Sequence, residues 1–457
     1  YAYHQRQKAL VVCPASLREM WEGELASVSI AARFVNQERL GQAEFDARSY
    51  ADVDVILLDE SHNFRNSGAQ RYQNLERLIA LNRGRGAAGT RKKLILLTAT
   101  PVNNDLLDLY SQISLFTQGD QSYFAEAGIG NLRRYFLSAR RREGNGGPAG
   151  TVKLFNLLEE VVIRRPRHFI QEAYPDATIH GKPVKFPDRQ LHTVRYDLER
   201  TYGGIYDKVV SGIESLNLAP YDLESYKKDK GRIDEWEQGR GQALVHIFKF
   251  LYLKRFESSV HACRQSFRWA LAFQKTFLSM LLAGKVVTSR DFRKLSQLLQ
   301  RETEEDDATP RSLADVIDES EEAQALLETM EPADPDEYDL KRLNDAIQHD
   351  VDVLTDLWRQ VQGIGPKQDA KLARFRRLLR EELKGQKVLV FSYFKDTAKY
   401  VYRQLVEDKA LMRSLGNPQI RLMDSDVNTE DRKRVVQAFA PKHNDRPDWA
   451  GTEKEVD

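Results

Sequence analysis

Only two cysteines, Cys13 and Cys263, occur in 457 residues, which excludes a disulfide framework and a cysteine-rich zinc module. Long apolar runs are missing too. The longest candidates, Ile56–Leu58 and Leu94–Leu97, fall far short of the ~20 residues a membrane span needs. No membrane partner is therefore expected. The opening stretch Tyr1–Lys8 lacks the apolar centre of a signal peptide. It also lacks an initiator Met, so the chain is expected to be a fragment. An excess charge of one sign is absent: 69 Lys and Arg face 68 Asp and Glu, a balance of +1. No global pull toward polyanions follows. What is present is apolar material, 41% of residues, enough for sizeable cores. At roughly 150 residues per domain the length predicts about three domains. The composition fits a multidomain protein of a reducing, cytoplasmic compartment.

The neutral total hides segregated charge. Residues 240–301 carry 12 Lys or Arg against Glu257 and Asp291, whereas 302–339 carry 16 acids against Arg311 alone. Residues 131–168 hold nine basic and three acidic side chains. Such blocks are commonly solvated faces. A sharper reading makes the first a polyanion-binding surface and the second an acidic, Pro-bearing insertion that shields it.

Ala9–Cys13, Asp54–Leu58 and Lys93–Leu97 are short apolar runs that read as buried strands. Helical spacing over Tyr72–Leu81 puts Leu75, Leu78 and Ile79 on one face. The alternation recurs late in the chain: helix 369–383, strand Lys387–Phe391, helix 397–406, strand Gln419–Met423, helix 429–439. Strands alternating with helices predict an α/β fold with parallel sheets. Between them, about 120–366 reads as mainly helical, broken at Gly144–Pro148 and by the extended segment 175–197. Aromatics at Trp236, Phe248, Phe250, Tyr252, Phe256, Phe267, Trp269, Phe273 and Phe277 fall at helical spacings and are expected in the core.

The stretch Val55-Ile-Leu-Leu-Asp59-Glu60-Ser61-His62 carries the most chemistry. A buried strand ending in two carboxylates places both at the carboxyl edge of a parallel sheet, where open α/β sheets bind ligands. In phosphate-transfer sites the first acid holds Mg²⁺, often through water, because that ion keeps several waters. The second can orient and deprotonate an attacking water. The plain alternative is a pair of acids at the start of the next helix. Leu94-Ile-Leu-Leu-Thr98-Ala-Thr100-Pro-Val-Asn-Asn104 likewise ends in hydroxyl residues, which can bond neighbouring carboxylates or cap a turn through Thr100 and Asn103. His168, His180 and His192 lack metal-ligand spacing, and Cys13 reads as an inert strand residue.

Asp59-Glu-Ser-His62 followed by Thr98-Ala-Thr-Pro101 resembles motifs II and III of superfamily 2 helicases, in their Snf2-like branch. Lys8-Ala-Leu-Val-Val-Cys-Pro-Ala-Ser16-Leu17 with Trp21 resembles motif Ia. Val161-Val-Ile-Arg164-Arg165-Pro-Arg167 resembles the family's doubled-Arg segment. Asp369–Leu372 with Lys387-Val-Leu-Val-Phe-Ser392-Tyr393-Phe394 resembles the start of the second lobe and motif IV. Leu422-Met-Asp424-Ser425 with Arg432 resembles the next block, although Ser425 stands where a Gly is usual. Phe250–Ser259, containing Lys254 and Arg255, resembles bacterial and archaeal members.

The resemblance implies two RecA-like parallel-sheet lobes separated by a long helical insertion. The lobes would span 1–118 and 367–457, the second truncated, with the insertion at 119–366. It implies ATP and Mg²⁺ as cofactors, with Asp59 holding Mg²⁺ and Glu60 activating water. Ser61, His62, Thr98 and Thr100 would couple nucleotide state to lobe movement. Ser16, Arg164, Arg165, Lys254, Arg255, Ser392 and Tyr393 would face the backbone of double-stranded DNA, RNA being less expected. For Arg164 and Arg165 the alternative is an ion pair bracing the lobes; for Lys254 and Arg255, pairing with the acidic insertion. No Gly-x-x-x-x-Gly-Lys-Ser/Thr occurs, and the arginines of motif VI should lie past residue 457. Truncation accounts for both, and the fragment alone is expected to be inactive. The reading is the central part of a prokaryotic, ATP-dependent DNA translocase. Its rivals are a non-catalytic nucleic-acid-binding scaffold and a strand-separating DNA or RNA helicase.

Overall fold

A computed structural model describes residues 7–81, 92–100, 105–143, 157–158, 161–179, 182–284, 286–287, 332–424, 427–444 and 446–456. Two compact units emerge, Tyr1–Gln190 and Leu191–Asp457.

In the first unit the order is β1 (Ala9–Cys13), α1 (Arg18–Ser27), β2 (Ala32–Asn36), α2 (Gln37–Leu40), β3 (Val55–Leu58), α3 (Gln70–Ala80), β4 (Lys93–Leu96), α4 (Leu106–Thr117), α5 (Leu132–Glu143) and α6 (Arg167–Ala173). The four strands form one all-parallel sheet, ordered β2-β1-β3-β4. Val12 is level with Leu58, and Leu58 with Leu96, so the carboxyl ends of three strands align. Leu10, Val12, Ile56 and Leu58 are fully buried, and Tyr72, Leu75, Leu78 and Ile79 of α3 join the same core. This is the α/β architecture expected from the apolar runs. The edge strand β2 was not expected, because Arg33 and Asn36 interrupt its apolar pattern. An edge position explains it: the Arg33 guanidinium lies over the Tyr50 ring at 4.4 Å and pairs with Asp52 at 3.2 Å. Among its described residues, segment 175–197 contains no helix and has a two-residue pairing of β5 (Thr178–Ile179) with β6 (Lys182–Pro183).

The second unit contains α7 (Glu199–Tyr202), α8 (Tyr206–Ser215), α9 (Glu235–Ser258), α10 (Val260–Leu282), β7 (Val286–Val287), β8 (Pro332–Ala333), α11 (Leu340–Val361), α12 (Ala370–Glu381), α13 (Lys395–Val406), α14 (Lys409–Leu415) and α15 (Thr429–Phe439). Its main core joins Val209 and Ile213 of α8, Phe256, Phe267 and Phe277, and Leu343, Ile347 and Leu354 of α11. Of the aromatics expected inside, Phe256, Phe267, Phe273 and Phe277 are buried, and Phe248, Tyr252 and Trp269 pack against them. Trp236 and Phe250 are instead 70% and 57% exposed. Both lie on α9, only part of whose surface meets the core.

Asp350 of α11 is completely buried. Its Oδ1 accepts from the Asn217 backbone N–H at 2.7 Å, and its Oδ2 from the Leu218 N–H at 2.6 Å and the Gln274 side chain at 3.2 Å. Leu218 is left-handed at φ 52°, so the carboxylate braces a turn that L-residues rarely adopt. Burial pushes the Asp350 carboxyl above its usual range, while the N–H groups of Asn217 and Leu218 pull it back.

Gly241 lets α9 lie against the preceding turn. A Cβ there would sit 2.9 Å from the Tyr221 carbonyl oxygen and 3.0 Å from the Asp222 Cα. Gly241→Ala is therefore expected to destabilise by about 1–3 kcal/mol despite alanine's better helix propensity. Denaturant unfolding checks it; an unchanged or raised midpoint would show that the turn yields freely.

Late in the chain the predicted helices form, as α12, α13 and α15. The predicted strands Lys387–Phe391 and Gln419–Met423 run without ladder partners among the described residues. Val388 and Ile420 pack with Leu379, Leu405 and Leu411, whereas Leu389, Val390 and Phe391 are more than half exposed. One side of this layer is thus covered by helices. The expected breaks at Gly144–Pro148 and most of the acidic segment lie outside the described residues. No helix among those described is long and apolar enough to cross a membrane.

Candidate functional site

β3 and β4 are neighbours, so the residues after each must meet at the sheet's carboxyl edge. The Asp59 N–H still donates to Val12 O, and the Ser61 N–H donates to Leu97 O at 2.9 Å, stitching the post-β3 turn to the end of β4. Phe64, fully buried, anchors that turn from below. Ser61 is buried as well, its hydroxyl donating to Gln112 Oε1 of α4 at 2.8 Å.

Between these anchors Glu60 takes a left-handed backbone, φ 46° and ψ 48°. For a residue with a Cβ this costs on the order of 1–3 kcal/mol, and such outliers cluster at functional positions. The conformation aims Glu60 at His62: Oε2 lies 3.1 Å from Nδ1. The same Nδ1 lies 3.1 Å from Thr98 Oγ1, and that hydroxyl accepts from the Thr100 N–H at 3.1 Å. A proton on Nδ1 would serve both oxygens. Thus Glu60, His62, Thr98 and the Thr100 backbone form one chain of contacts across two strands. Pro101–Asn104, including the Asn103 cap expected above, lie outside the described residues.

Asp59 is held differently. Its Oδ1 accepts from the Glu60 N–H at 2.8 Å, and its Oδ2 from Trp21 Nε1–H at 2.8 Å. Its carbonyl accepts from the buried Gln37, which in turn accepts from Asn63 Nδ2 at 2.9 Å. Each carboxylate oxygen keeps lone-pair capacity. Among the described residues no three His, Cys, Asp or Glu side chains gather to hold an ion alone. A single, partly exposed carboxylate fits an ion such as Mg²⁺, which takes few protein ligands and completes its shell with water and phosphate oxygens.

Nearby Cys13 ends β1 with its thiol pushed up to about 11, first by burial and then by the Asp59 charge. It stays protonated at neutral pH and is a poor nucleophile.

The residues expected to face nucleic acid are dispersed over both units. Ser16 is exposed in a turn just past β1. Arg164 and Arg165 are exposed, Arg165 stacks over Phe169 at 5.2 Å, and neither makes an ion pair among the described residues. In the second unit Ser392 and Tyr393 are exposed, Tyr393 by 90%. Lys254 pairs loosely with Glu257 at 3.5 Å and sits over Phe250. Arg255 is engaged internally: its guanidinium donates to Asp396 of α13 and to Ser266, and lies over Phe394 at 5.1 Å. Neither cation pairs with a described residue of the acidic segment. Around Arg255, Ser258 and Ser259 each meet Thr397 Oγ1, at 2.8 and 2.9 Å. Lys371 donates to the carbonyls of Glu257 and Ser258 at 3.1 and 2.8 Å, and its burial lowers its pKa.

Trp21, Gln37, Asn63 and Gln112 escaped the sequence reading as site residues. A signal existed only for Trp21, which the motif Ia resemblance included without a role, and whose indole N–H needs an acceptor when it is partly buried.

No protein-family model matches the chain. It is 24% identical over 251 residues to the mouse SWI/SNF-related matrix-associated actin-dependent regulator of chromatin subfamily A containing DEAD/H box 1, covering 47% of this chain and 22% of that protein. It is 22% identical over 238 residues to the ATP-dependent helicase YqhH of Bacillus subtilis (strain 168), covering 46% of this chain and 35% of that one. The Sulfolobus solfataricus SWI2/SNF2 ATPase core, solved in complex with dsDNA, aligns over 48% of this chain and 46% of its own at 19% identity and a TM-score of 0.28. The chain spans between a fifth and about a third of the length of these two relatives. Over about half of its own length, the chain is thus similar to Snf2-type helicases and ATPases.

Proposed function

We propose that the chain is the central part of an ATP-dependent, Snf2-like motor that moves along double-stranded DNA. The observation that carries the reading is the contact chain Glu60–His62–Thr98–Thr100. It joins the end of β3 to the end of β4, as a device linking hydrolysis to movement requires. ATP with Mg²⁺ supplies, when bound, a terminal phosphoryl group for transfer to water. Asp59 would hold the Mg²⁺, chiefly through water. Glu60 would orient and deprotonate the attacking water, with His62 Nδ1–H fixing its carboxylate between turnovers. Thr98 and Thr100, at the far end of that chain, would feel any change at Glu60. Ser16, Arg164, Arg165, Lys254, Ser392 and Tyr393 are exposed and suit contacts to backbone phosphates, which position a protein without reading sequence. Arg255, bonded to Asp396, suits a bracing role within its own unit.

The test is ATP hydrolysis by the full-length protein with and without duplex DNA. Strong stimulation by duplex DNA is expected. Absent hydrolysis with salt-dependent DNA binding would instead select the scaffold reading, and strand separation in an unwinding assay would select a true helicase.

A further inference from the structure

Helix α1 has no buried residue. Within the helix Arg18 and Glu22 pair at 2.8 Å, and contacts that tie it to the rest of the unit include Arg18 over the Phe34 ring at 5.5 Å and the Trp21–Asp59 hydrogen bond. Of these only the last reaches the candidate site, across 38 residues of sequence. A donor on an ionised carboxylate makes one of the stronger hydrogen bonds, and outer partners of a metal-binding carboxylate set its orientation. Among the described residues, the other carboxylate oxygen of Asp59 accepts from the adjacent Glu60 N–H alone. Without the indole N–H the carboxylate is free to turn about its last torsion, which is broad for aspartate.

We propose that Trp21 is a positioning residue, whose indole N–H selects the carboxylate orientation in which Asp59 receives a divalent cation. This rests on the reading of Asp59 as the Mg²⁺ carboxylate. The bond crosses from the segment after β1 to the end of β3, two elements whose strands are already paired. Trp21 thus completes a second tie between them, one made by side chains at the sheet edge.

The experiment is Mn²⁺ binding to the full-length protein in the presence of ADP, followed by the electron paramagnetic resonance of the ion, which needs no turnover. Four proteins are compared: wild type, Trp21→Phe, Asp59→Asn and Arg18→Ala. Trp21→Phe keeps the ring but loses the donor, and is expected to weaken Mn²⁺ binding roughly tenfold or more. Its affinity for ADP without metal should stay at the wild-type value. Arg18→Ala loosens the same helix without touching Asp59 and should bind Mn²⁺ as wild type does. Wild-type Mn²⁺ affinity in Trp21→Phe, with Asp59→Asn impaired, would overturn the role of Trp21 and leave Asp59 in place. Equal loss in Arg18→Ala, or a Trp21→Phe protein that also loses ADP binding and thermal stability, would reduce Trp21 to a helix anchor. If Asp59→Asn binds Mn²⁺ as wild type does, the assignment of Asp59 falls, and that of Trp21 with it.

Discussion

Glu60→Gln in the full-length protein is expected to lower ATP turnover by roughly 10²–10⁴-fold, the usual contribution of a positioned general base, while ATP still binds. The substitution keeps size and shape and removes the ability to take a proton. It also keeps an oxygen that His62 Nδ1–H can reach, so the left-handed turn at Glu60 and its stitch to β4 should survive. The loss should therefore appear in kcat, with ATP affinity nearly unchanged. A variant that turns over normally would remove Glu60 from its role, and the contact chain to Thr98 would then be a structural brace.

The second large effect concerns stability in the second unit. Asp350→Ala strands the buried Leu218 N–H and Gln274 side chain and removes the acceptor of the partly buried Asn217 N–H. A buried donor left without a partner costs about 1–3 kcal/mol, so a total of about 3 kcal/mol or more is expected. For a unit of this size the thermal midpoint should fall by roughly 6–12 °C. Asp350→Asn keeps one acceptor and should lose clearly less. Calorimetry of the three proteins decides it, and a wild-type midpoint for the alanine variant would mean that the turn at Leu218 is braced elsewhere.

The parts of this fold that were legible in the sequence are those where one physical signal dominates. Ala9–Cys13, Val55–Leu58 and Lys93–Leu96 are apolar runs flanked by polar residues, and a strand buried on both faces needs nothing more. β2 was hidden because an edge strand tolerates Arg33, whose partners Tyr50 and Asp52 lie far along the chain. The runs at 387–391 and 419–423 carry the same apolar signal, yet among the described residues a ladder also needs a neighbour, and composition cannot supply one. Trp236 and Phe250 show the converse error, since helical spacing identifies a stripe without saying whether anything covers it. At the site, the order of Asp59-Glu-Ser-His62 and Thr98-Ala-Thr100 was visible, and adjacent parallel strands bring them together. The left-handed Glu60 and the indole on Asp59 were not, because one is a backbone angle and the other a contact between residues 38 apart.

The junction at Ser258–Ser259 has a mechanical consequence. There one long helix stops and another starts, and the two hydroxyls share a single threonine on α13 while Lys371 takes the carbonyls that the break exposes. A seam of interlocked apolar side chains resists sliding, since every displacement opens a void. Here the grip includes the shared Thr397 hydroxyl, the Arg255–Asp396 pair, the His261–Tyr400 ring stack and the two bonds from Lys371, the neutral hydrogen bonds among them worth about 1 kcal/mol each. A junction held this way depends on charge and hydrogen bonding as well as on packing, so added salt weakens part of its grip.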